Sequence, residues 1–388
     1  MSSAADAGPA ARSGLPRLAV LVACAVVALA ALSGTAESET VRARAPGDIP
    51  SDCSRDVTHD LADWFDRAPN GTTLSLAPSG CYEVDGTLVL EGRKDLTIDG
   101  QGATFRVDTP GGLNRVCLLF LGGSDITIRD LGVHGANPKA GPTDAAYDVS
   151  REAQHAFAFR GTDGVVLDHV SAMDTYGDFV YIGNDADTGE LSNDVTVRDS
   201  HFDGSGRQGI SITGARNVTI TGNEIRNVAR SMFDIEPNAE DGGAEHIVIS
   251  DNVTGAAKNF WMASKGATDN ITDVTIKDNV ARGGVTGGLI WVYGVLPDYR
   301  GPYTITGNHF AFSGATTDEE SKGAFFFARC RDVSLTDNVV RFPKGTSLPA
   351  VELRDSKDVT VGSDNVFRGS GRRILDTSPA FPTPDQRR

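Results

Sequence analysis

Residues Asn217-Val218-Thr219-Ile220-Thr221-Gly222-Asn223 form one copy of a motif that recurs along most of the chain. Further copies of this type, most of which begin with Asp followed by an apolar residue, start at Asp95, Asp125, Asp194, His246, Asp273, Tyr303, Asp332 and Asp358. Their starts lie mostly about 26 to 30 residues apart, a period typical of repeat proteins. The sequence therefore predicts an array of similar units in one domain, which grows by addition rather than around a single core.

Each unit carries a second strand-like run ahead of the motif. Examples are residues 179–182, 209–212 and 232–235. Alternation of apolar and polar residues indicates strands with one face in a core and the other face outside. Stacked at the inter-strand distance of about 4.8 Å, these units predict a rod of about ten coils.

The motif copies often end in asparagine, and this carries a resemblance to a known family. The asparagines concerned are Asn223, Asn252, Asn279, Asn308 and Asn338. Over roughly residues 86–372 the chain resembles the pectate-lyase-like superfamily, in which such asparagines stack at one corner. The resemblance implies an all-β fold: a right-handed, single-stranded parallel β-helix, that is, a solenoid of about ten coils. It does not imply one function, because the superfamily includes polysaccharide lyases, glycoside hydrolases, epimerases and noncatalytic adhesins.

The N-terminal region has the features of an export signal. An apolar run over residues 18–32 follows Arg12 and Arg17 and precedes small residues that end near Ala36. This pattern is typical of a secretory signal peptide and predicts a secreted protein. The alternative is a membrane anchor through residues 18–36, but the run is short for a bilayer span.

The remaining chain divides by pattern and composition. We expect a signal peptide at 1–36, a linker at 37–50, an N-terminal cap at 51–85, the β-helix at 86–372 and a tail at 373–388.

Two features characterise the predicted cap. Val57, Leu61, Trp64 and Phe65 follow helical spacing, which predicts a short amphipathic helix over the open end of the stack. Cys53 and Cys81 flank this segment in a chain predicted to be exported, which indicates a disulfide. Cys117 and Cys330 lie far apart along the array, so we expect them to be buried and free.

The charge balance limits the classes of partner. The formal net charge of −16 disfavours nucleic acid and anionic membranes. It also disfavours strongly anionic polysaccharides unless the site itself is basic or holds a cation. A monomer that binds a polysaccharide or cell-surface glycan remains the expected class.

The sharpest departure from simple repetition is Asp234 and Glu236. If Phe233 and Ile235 point inward, both carboxylates point outward from one strand. Residues two apart on a strand are about 6.8 Å apart at Cα, and carboxyls roughly 6.5 to 9.5 Å apart suit an inverting glycosidase. Asp234 and Glu236 are therefore the candidate acid and base.

Side chains in neighbouring coils extend this candidate site. Asp178 is an alternative carboxylate partner, and Lys265 is a basic neighbour that is expected to assist. The candidate substrate-binding residues are Arg207, Gln208, Tyr181, Asn184, Trp261, Trp291 and Tyr293. Exposed aromatic rings suit sugar binding, and the insertion at residues 135–154 is expected to form a wall or lid of the cleft.

Three functions remain open at this stage. The leading hypothesis is a polysaccharide-degrading glycoside hydrolase that needs no cofactor and acts on a neutral or weakly charged glycan. The first alternative is a uronate lyase or C5-epimerase that uses Lys265 with Ca²⁺, for which the acidic residues Asp185 and Asp187 are candidate ligands. The second is a noncatalytic, glycan-binding or adhesion rod.

Overall fold

The computed structural model describes residues 41–238, 242–268, 270–295, 298–314 and 323–377. The predicted signal peptide lies outside these residues. Within the described part of the chain, no helix is both long enough and apolar enough to span a membrane.

The architecture is a stack of coils made of parallel strands, as the sequence predicted. One sheet has 11 strands; we call it the site sheet. Its strands are Leu88–Glu91, Leu118–Leu121, Phe157–Arg160, Val180–Gly183, Ile210–Ile212, Phe233–Ile235, Phe260–Ser264, Gly288–Tyr293, Phe325–Ala328, Pro349–Arg354 and Arg372–Asp376.

A second sheet of 22 strands folds around a corner and contains two runs of strands. The first run, the motif sheet, holds the repeated motif: Val41–Arg44, Thr72–Ser75, Asp163–Asp168, Ser192–Arg198, Gly214–Thr221, Gly243–Ser250, Ile271–Lys277, Tyr303–Thr306, Arg331–Thr336 and Lys357–Val361. The second run, the flank sheet, comprises Asp52–Asp56, Cys81–Glu83, Ser171–Thr175, His201–Ser205, Glu224–Val228, Val253–Thr254, Val280–Ala281, His309–Ala311, Val339–Arg341 and Val366–Arg368. Two long strands, Lys94–Arg106 and Ser124–His134, pass from one run into the other.

The backbone conformation explains which residue types begin and end the motif. Asp194 and Asp273 begin their copies at φ 51° and 54°, and Asp278 at the following corner has φ 56°. This left-handed region disfavours most side chains, but Asp and Asn tolerate it better than most. The acidic and amide residues of the motif therefore mark the points where each coil turns.

The predicted asparagine ladder is present and has one more member. Asn223 donates through its side-chain amide to Oδ1 of Asn252 at 3.0 Å, and the same bond repeats from coil to coil as far as Asn365. Each amide also donates to a main-chain carbonyl, such as that of Ile249 for Asn279. Buried corner amides and carbonyls are thereby satisfied without water.

The N-terminal cap also matches the prediction. An α-helix spans Thr58–Arg67 and buries Leu61, Trp64 and Phe65. Cys53 and Cys81 form a disulfide with a Cα–Cα distance of 5.0 Å. Cys117 and Cys330 are free and buried, and burial raises the pKa of the Cys117 thiol to about 12.

Two boundaries differ from the expectation. The expected linker at 37–50 contains a strand, Val41–Arg44, that pairs in parallel with Thr72–Ser75. The expected tail at 373–388 begins inside the last strand of the site sheet, Arg372–Asp376. Strands of four or five residues at the ends of an array have too few alternating positions to be recognised from sequence.

Candidate functional site

Asp234 lies on the face of the site sheet opposite to the core. Its strand pairs with its neighbours so that Asp234 lies between Ser211 in the preceding coil and Ala263 in the following coil. Phe233 and Ile235 on either side of it are in the core. Asp234 thus has only small side chains, Ser211 and Ala263, beside it on this face of the sheet.

Asp178 is completely buried, with 0% of its surface exposed. Its carboxylate accepts hydrogen bonds from Arg207 at 2.8 Å, the backbone N–H of Gln208 at 2.9 Å and Ser211 at 2.7 Å. A carboxylate held this way has no free face for a substrate. Contrary to the expectation that it could act as a catalytic partner, Asp178 is a positioning residue.

His155 packs on the same carboxylate but does not form an ion pair with it. Its Nδ1 lies 3.6 Å from Asp178 Oδ2, and it already accepts the backbone N–H of Asp178 at 3.0 Å. Burial lowers the pKa of His155 to about 4, an effect larger than the opposing attraction of Asp178. The imidazole is therefore neutral, and its Nδ1 carries no proton.

Gln208 connects the two acidic centres. Its side-chain amide donates to Asp234 Oδ2 at 3.1 Å, and its Oε1 accepts the N–H of Ser231 at 2.7 Å. Gln208 is buried, so it holds Asp234 rather than the substrate. The expected substrate contact by Gln208 is therefore wrong, because its polar atoms are already bonded inside the protein.

Asp234 and Glu236 form a coupled carboxyl pair. Asp234 is 1% exposed, and its Oδ1 is buried without an N–H or hydroxyl donor. Burial raises the pKa of Asp234 well above its ordinary value, and the negative charge of Glu236 and a hydrogen bond to Glu236 raise it further. The raised pKa makes Asp234 the member of the pair that more readily keeps a proton.

Lys265 lies on the exposed side of this pair. Its ammonium is 3.4 Å from Glu236 Oε1, and the side chains of Lys265 and Glu236 are 50% and 18% exposed. Glu236 is therefore the member of the carboxyl pair that solvent and a ligand can reach, and Lys265 orients it.

The insertion at 135–154 forms a wall of the site, and it contributes a carboxylate that the sequence analysis missed. It contains two short 3₁₀ helices, Asp144–Ala146 and Val149–Arg151. Glu152 accepts a hydrogen bond from Tyr147 and lies 3.5 Å from Arg207 Nε. No motif marks Glu152; the only signal was its position in a long insertion before the cleft coils.

Arg207 lies among four carboxyl groups. The pKa of its guanidinium is raised mainly by Asp178, and further by Asp234, Glu152 and Glu236. The Arg207 side chain is only 18% exposed, so it orients these carboxyl groups from the protein side rather than from the solvent side. The substrate contact expected of Arg207 does not fit this position.

Trp261 does not contribute to the outer face, contrary to the expectation. It is fully buried between the rings of Phe233 and Phe310, and its indole N–H donates to Thr254 at 2.9 Å. The strict alternation assumed for this strand fails at the sheet corner, where Trp261 and Met262 both point inward.

Trp291 does reach the outer face, where it belongs to a stack of rings. Phe260 in the preceding coil lies 5.3 Å away at 20°, Phe326 in the following coil 6.0 Å away at 17°, and Tyr293 5.7 Å away at 21°. Its neighbours thus cover both faces of the indole ring. Trp291 consequently presents an edge, rather than a face, to any sugar.

Tyr181 lies on the site sheet two coils before Asp234, and Asn184 follows the end of its strand. Tyr181 stacks on His155 at 4.8 Å, and its hydroxyl accepts a hydrogen bond from Thr213 at 2.8 Å. The Tyr181 ring also covers Gly183 on the same strand, where a Cβ atom would lie 2.7 Å from it. Asn184, at the edge, donates to the carbonyl of Asp185 at 3.5 Å.

Asp185 and Asp187, the candidate calcium ligands, lie in a turn that its own backbone closes. Asp185 Oδ1 accepts the N–H groups of Asp187 at 2.8 Å and Thr188 at 3.0 Å. These bonds, that of Thr188 first, lower the pKa of Asp185. The turn therefore needs no cation to hold its shape, and calcium binding there stays a prediction.

Comparison with solved structures places the coils in a known fold. An exopolygalacturonase of family 28 from Yersinia enterocolitica is similar with a TM-score of 0.60, at 11% identity, over 89% of this chain and 80% of that chain. The surface adhesin PfbA of Streptococcus pneumoniae has a TM-score of 0.57 at 14% identity, over 85% and 92%. An endo-xylogalacturonan hydrolase from Aspergillus tubingensis has a TM-score of 0.50 at 13% identity, over 87% and 94%.

These relatives include both enzymes and an adhesin, and at such identities the likeness shows the fold alone. The search of curated proteins finds no match. The sequence profile of the right-handed β-helix region matches residues 117–378, which is more than half of the chain. The protein therefore belongs to the right-handed β-helix family.

Proposed function

We propose that the protein hydrolyses a glycosidic bond of a glycan, with the Asp234–Glu236 pair as the proton source. The observation that carries this proposal is the buried Asp234, whose Oδ1 has no donor and whose pKa is raised beside Glu236. A carboxyl group that keeps its proton near neutral pH is what a general acid requires.

The two members of the pair have different roles in this mechanism. Asp234 passes the proton that it holds to Glu236, and Glu236, the more exposed member, gives this proton to the glycosidic oxygen as the carbon–oxygen bond breaks. Both carboxyl groups are then ionised until the pair regains a proton. Lys265, at 3.4 Å, fixes the direction of the Glu236 carboxyl group.

Glu152 is the carboxylate we assign to the attacking water. It lies in the insertion beyond Arg207, and 36% of its side chain is exposed. The water forms the new bond to the anomeric carbon and loses a proton to Glu152, and this proton returns to the acid pair after the products leave. Tyr147 and Arg207 hold Glu152 in place.

The lyase alternative receives less support from this geometry. Its base would be Lys265, but the ammonium of Lys265 lies 3.4 Å from the Glu236 carboxylate and is engaged in an ion pair there. We further propose that the protein acts outside the cell, on the basis of the apolar run at 18–32 and the disulfide.

The test is turnover of a polysaccharide panel, measured as new reducing ends, with absorbance of unsaturated uronates as a second signal. We expect reducing ends without that absorbance, and Glu236→Gln should lower kcat by about 10²-fold or more. Glu224→Gln, an exposed glutamate on the flank sheet, is the matched control and should keep kcat within about twofold. Unsaturated products would identify a lyase, full activity of Glu236→Gln would refute the site, and glycan binding without turnover would identify a noncatalytic protein.

A further inference from the structure

The outer face of the flank sheet carries a line of cations whose environment changes along the stack. In the N-terminal half the cations have acidic partners. Arg106 lies 4.0 Å from Glu83, and Arg226 lies 3.0 Å from Asp203. Within each pair, the two residues occupy equivalent positions in adjacent coils, as the strand register shows.

In the C-terminal half of the same line of equivalent positions, other residues stand in the place of these acidic partners. After Arg226 the line continues through Gly255 and reaches Arg282, Ala311, Arg341 and Arg368. Beside it, the line that holds Glu224 continues as Val253, Val280, His309, Val339 and Val366. Valine and histidine thus stand at the positions equivalent to Glu224, which pairs with Arg226.

These side chains line a groove of about 290 Å³. We define the basic groove as Arg282, His309, Arg341 and Arg368 with the valines between them. All four basic side chains are exposed, and among the described residues none of the three arginines forms an ion pair or a side-chain hydrogen bond. In a chain of net charge −16, three unpaired arginines within four successive coils form a local region of opposite charge.

We propose that the basic groove binds an acidic polysaccharide and anchors the protein on it, separately from the cleft. Arg341 and Arg368 lie in adjacent coils, about 4.8 Å apart, and Arg282 lies two coils before Arg341. This spacing suits a linear chain with one anionic group on each of several sugar residues. The valines offer apolar surface to the C–H faces of the sugar rings.

The overall charge argues against other polyanions. Nucleic acids and anionic bilayers carry dense charge over a large area, which the acidic remainder of the surface repels. A polysaccharide of lower charge density contacts the groove without covering that remainder.

The experiment compares carboxymethyl dextran with neutral dextran of equal length, by calorimetric titration at low and moderate salt. The full-length protein should bind only the anionic polymer, and more weakly as salt increases. The triple variant Arg282→Gln, Arg341→Gln and Arg368→Gln should bind about 10-fold more weakly or worse, with a shallower salt dependence. A control that removes the same charge elsewhere, Arg67→Gln, Arg216→Gln and Arg372→Gln, should bind as the parent does.

The outcomes are separable from those of the hydrolase proposal. Glu236→Gln should bind the anionic polymer unchanged, because anchoring needs no turnover. Equal binding by the groove variant and its parent, or equal loss in the control, would overturn the basic groove as a site. Tighter groove-dependent binding to a single-stranded oligonucleotide or to anionic vesicles would overturn the assignment of its ligand.

Discussion

Gln208 donates its side-chain amide to Asp234 at 3.1 Å, and its backbone N–H donates to Asp178 at 2.9 Å. A single buried residue thus links a fully bonded acid, Asp178, to an acid whose pKa is raised, Asp234. The same amide accepts the N–H of Ser231 through its oxygen. Gln208 is for this reason the residue on which the geometry of the whole acid cluster depends.

Gln208→Met tests this dependence. Methionine has a similar length but leaves Asp234 Oδ2 and the Ser231 N–H without partners inside the protein. We expect a loss of about 2 to 4 kcal/mol in the free energy of unfolding, measured with urea. A loss below about 1 kcal/mol would show that these bonds are replaced by water.

Asp234→Asn should raise stability in a pH-dependent way. The folded state raises the pKa of Asp234, so between the ordinary pKa and the raised pKa the folded state binds more protons than the unfolded state. Stability contributed by this proton is fully present at low pH and is lost as pH rises. Asparagine cannot ionise, so the variant should have a higher Tm than the parent at pH 7, and the difference should vanish below about pH 4. A constant difference across this range would contradict the raised pKa of Asp234.

We expect His155 to make the free energy of unfolding decrease in acid, and this decrease should begin at a higher pH than a decrease caused by carboxyl groups. Its folded pKa is lowered to about 4, while an unfolded histidine titrates near 6.5. The unfolded state therefore binds more protons between these values, and the stability that neutral His155 retains is lost as pH falls through this window. The loss should reach about 3 kcal/mol. In His155→Gln, the free energy of unfolding should depend much less on pH between 6.5 and 4. His59→Gln, at an exposed helical position, should leave this dependence unchanged.

Asn279→Ala tests the corner ladder. The side chain of Asn279 donates to Ile249, Lys277 and Asn308, and accepts from Asn252. Its removal leaves several buried groups unpaired, so we expect a loss of about 3 to 5 kcal/mol in the free energy of unfolding. Asn114→Ala, at an exposed position, should change it by less than about 0.5 kcal/mol. Similar values for the two variants would mean that the ladder adds no stability.

The coil architecture was predictable because its causes are local and repeated. Residues such as Asp273 and Asn279 recur at fixed places in each unit, since the backbone turns left-handed at one and the corner needs an amide at the other. The cap helix was predictable for a similar reason, because Leu61 and Trp64 follow its own period.

The details of the site depend on contacts between distant segments, and sequence periodicity does not report these. Asp178 occupies a position that a single strand presents outward, but Arg207 from the next coil and His155 from the previous one cover it. Trp261 is inward because the alternation breaks at a corner, and Glu152 belongs to an insertion without a repeat. The position of Asp234 was predictable, since burying both it and Glu236 deep in the core would have been costly.

Three successive coils that follow the insertion in the chain each receive a side-chain contact from it. Glu152 meets Arg207, Tyr147 lies under Arg230 at 4.1 Å from the guanidinium, and Asp144 pairs with Lys258. In a stacked array each coil otherwise depends on its nearest neighbours, so unfolding can propagate one coil at a time from an end. A brace across three coils joins them into one cooperative block. Amide hydrogens at the C-terminal coils should thus exchange before those of this block, and the acid cluster should survive fraying of the end that carries the basic groove.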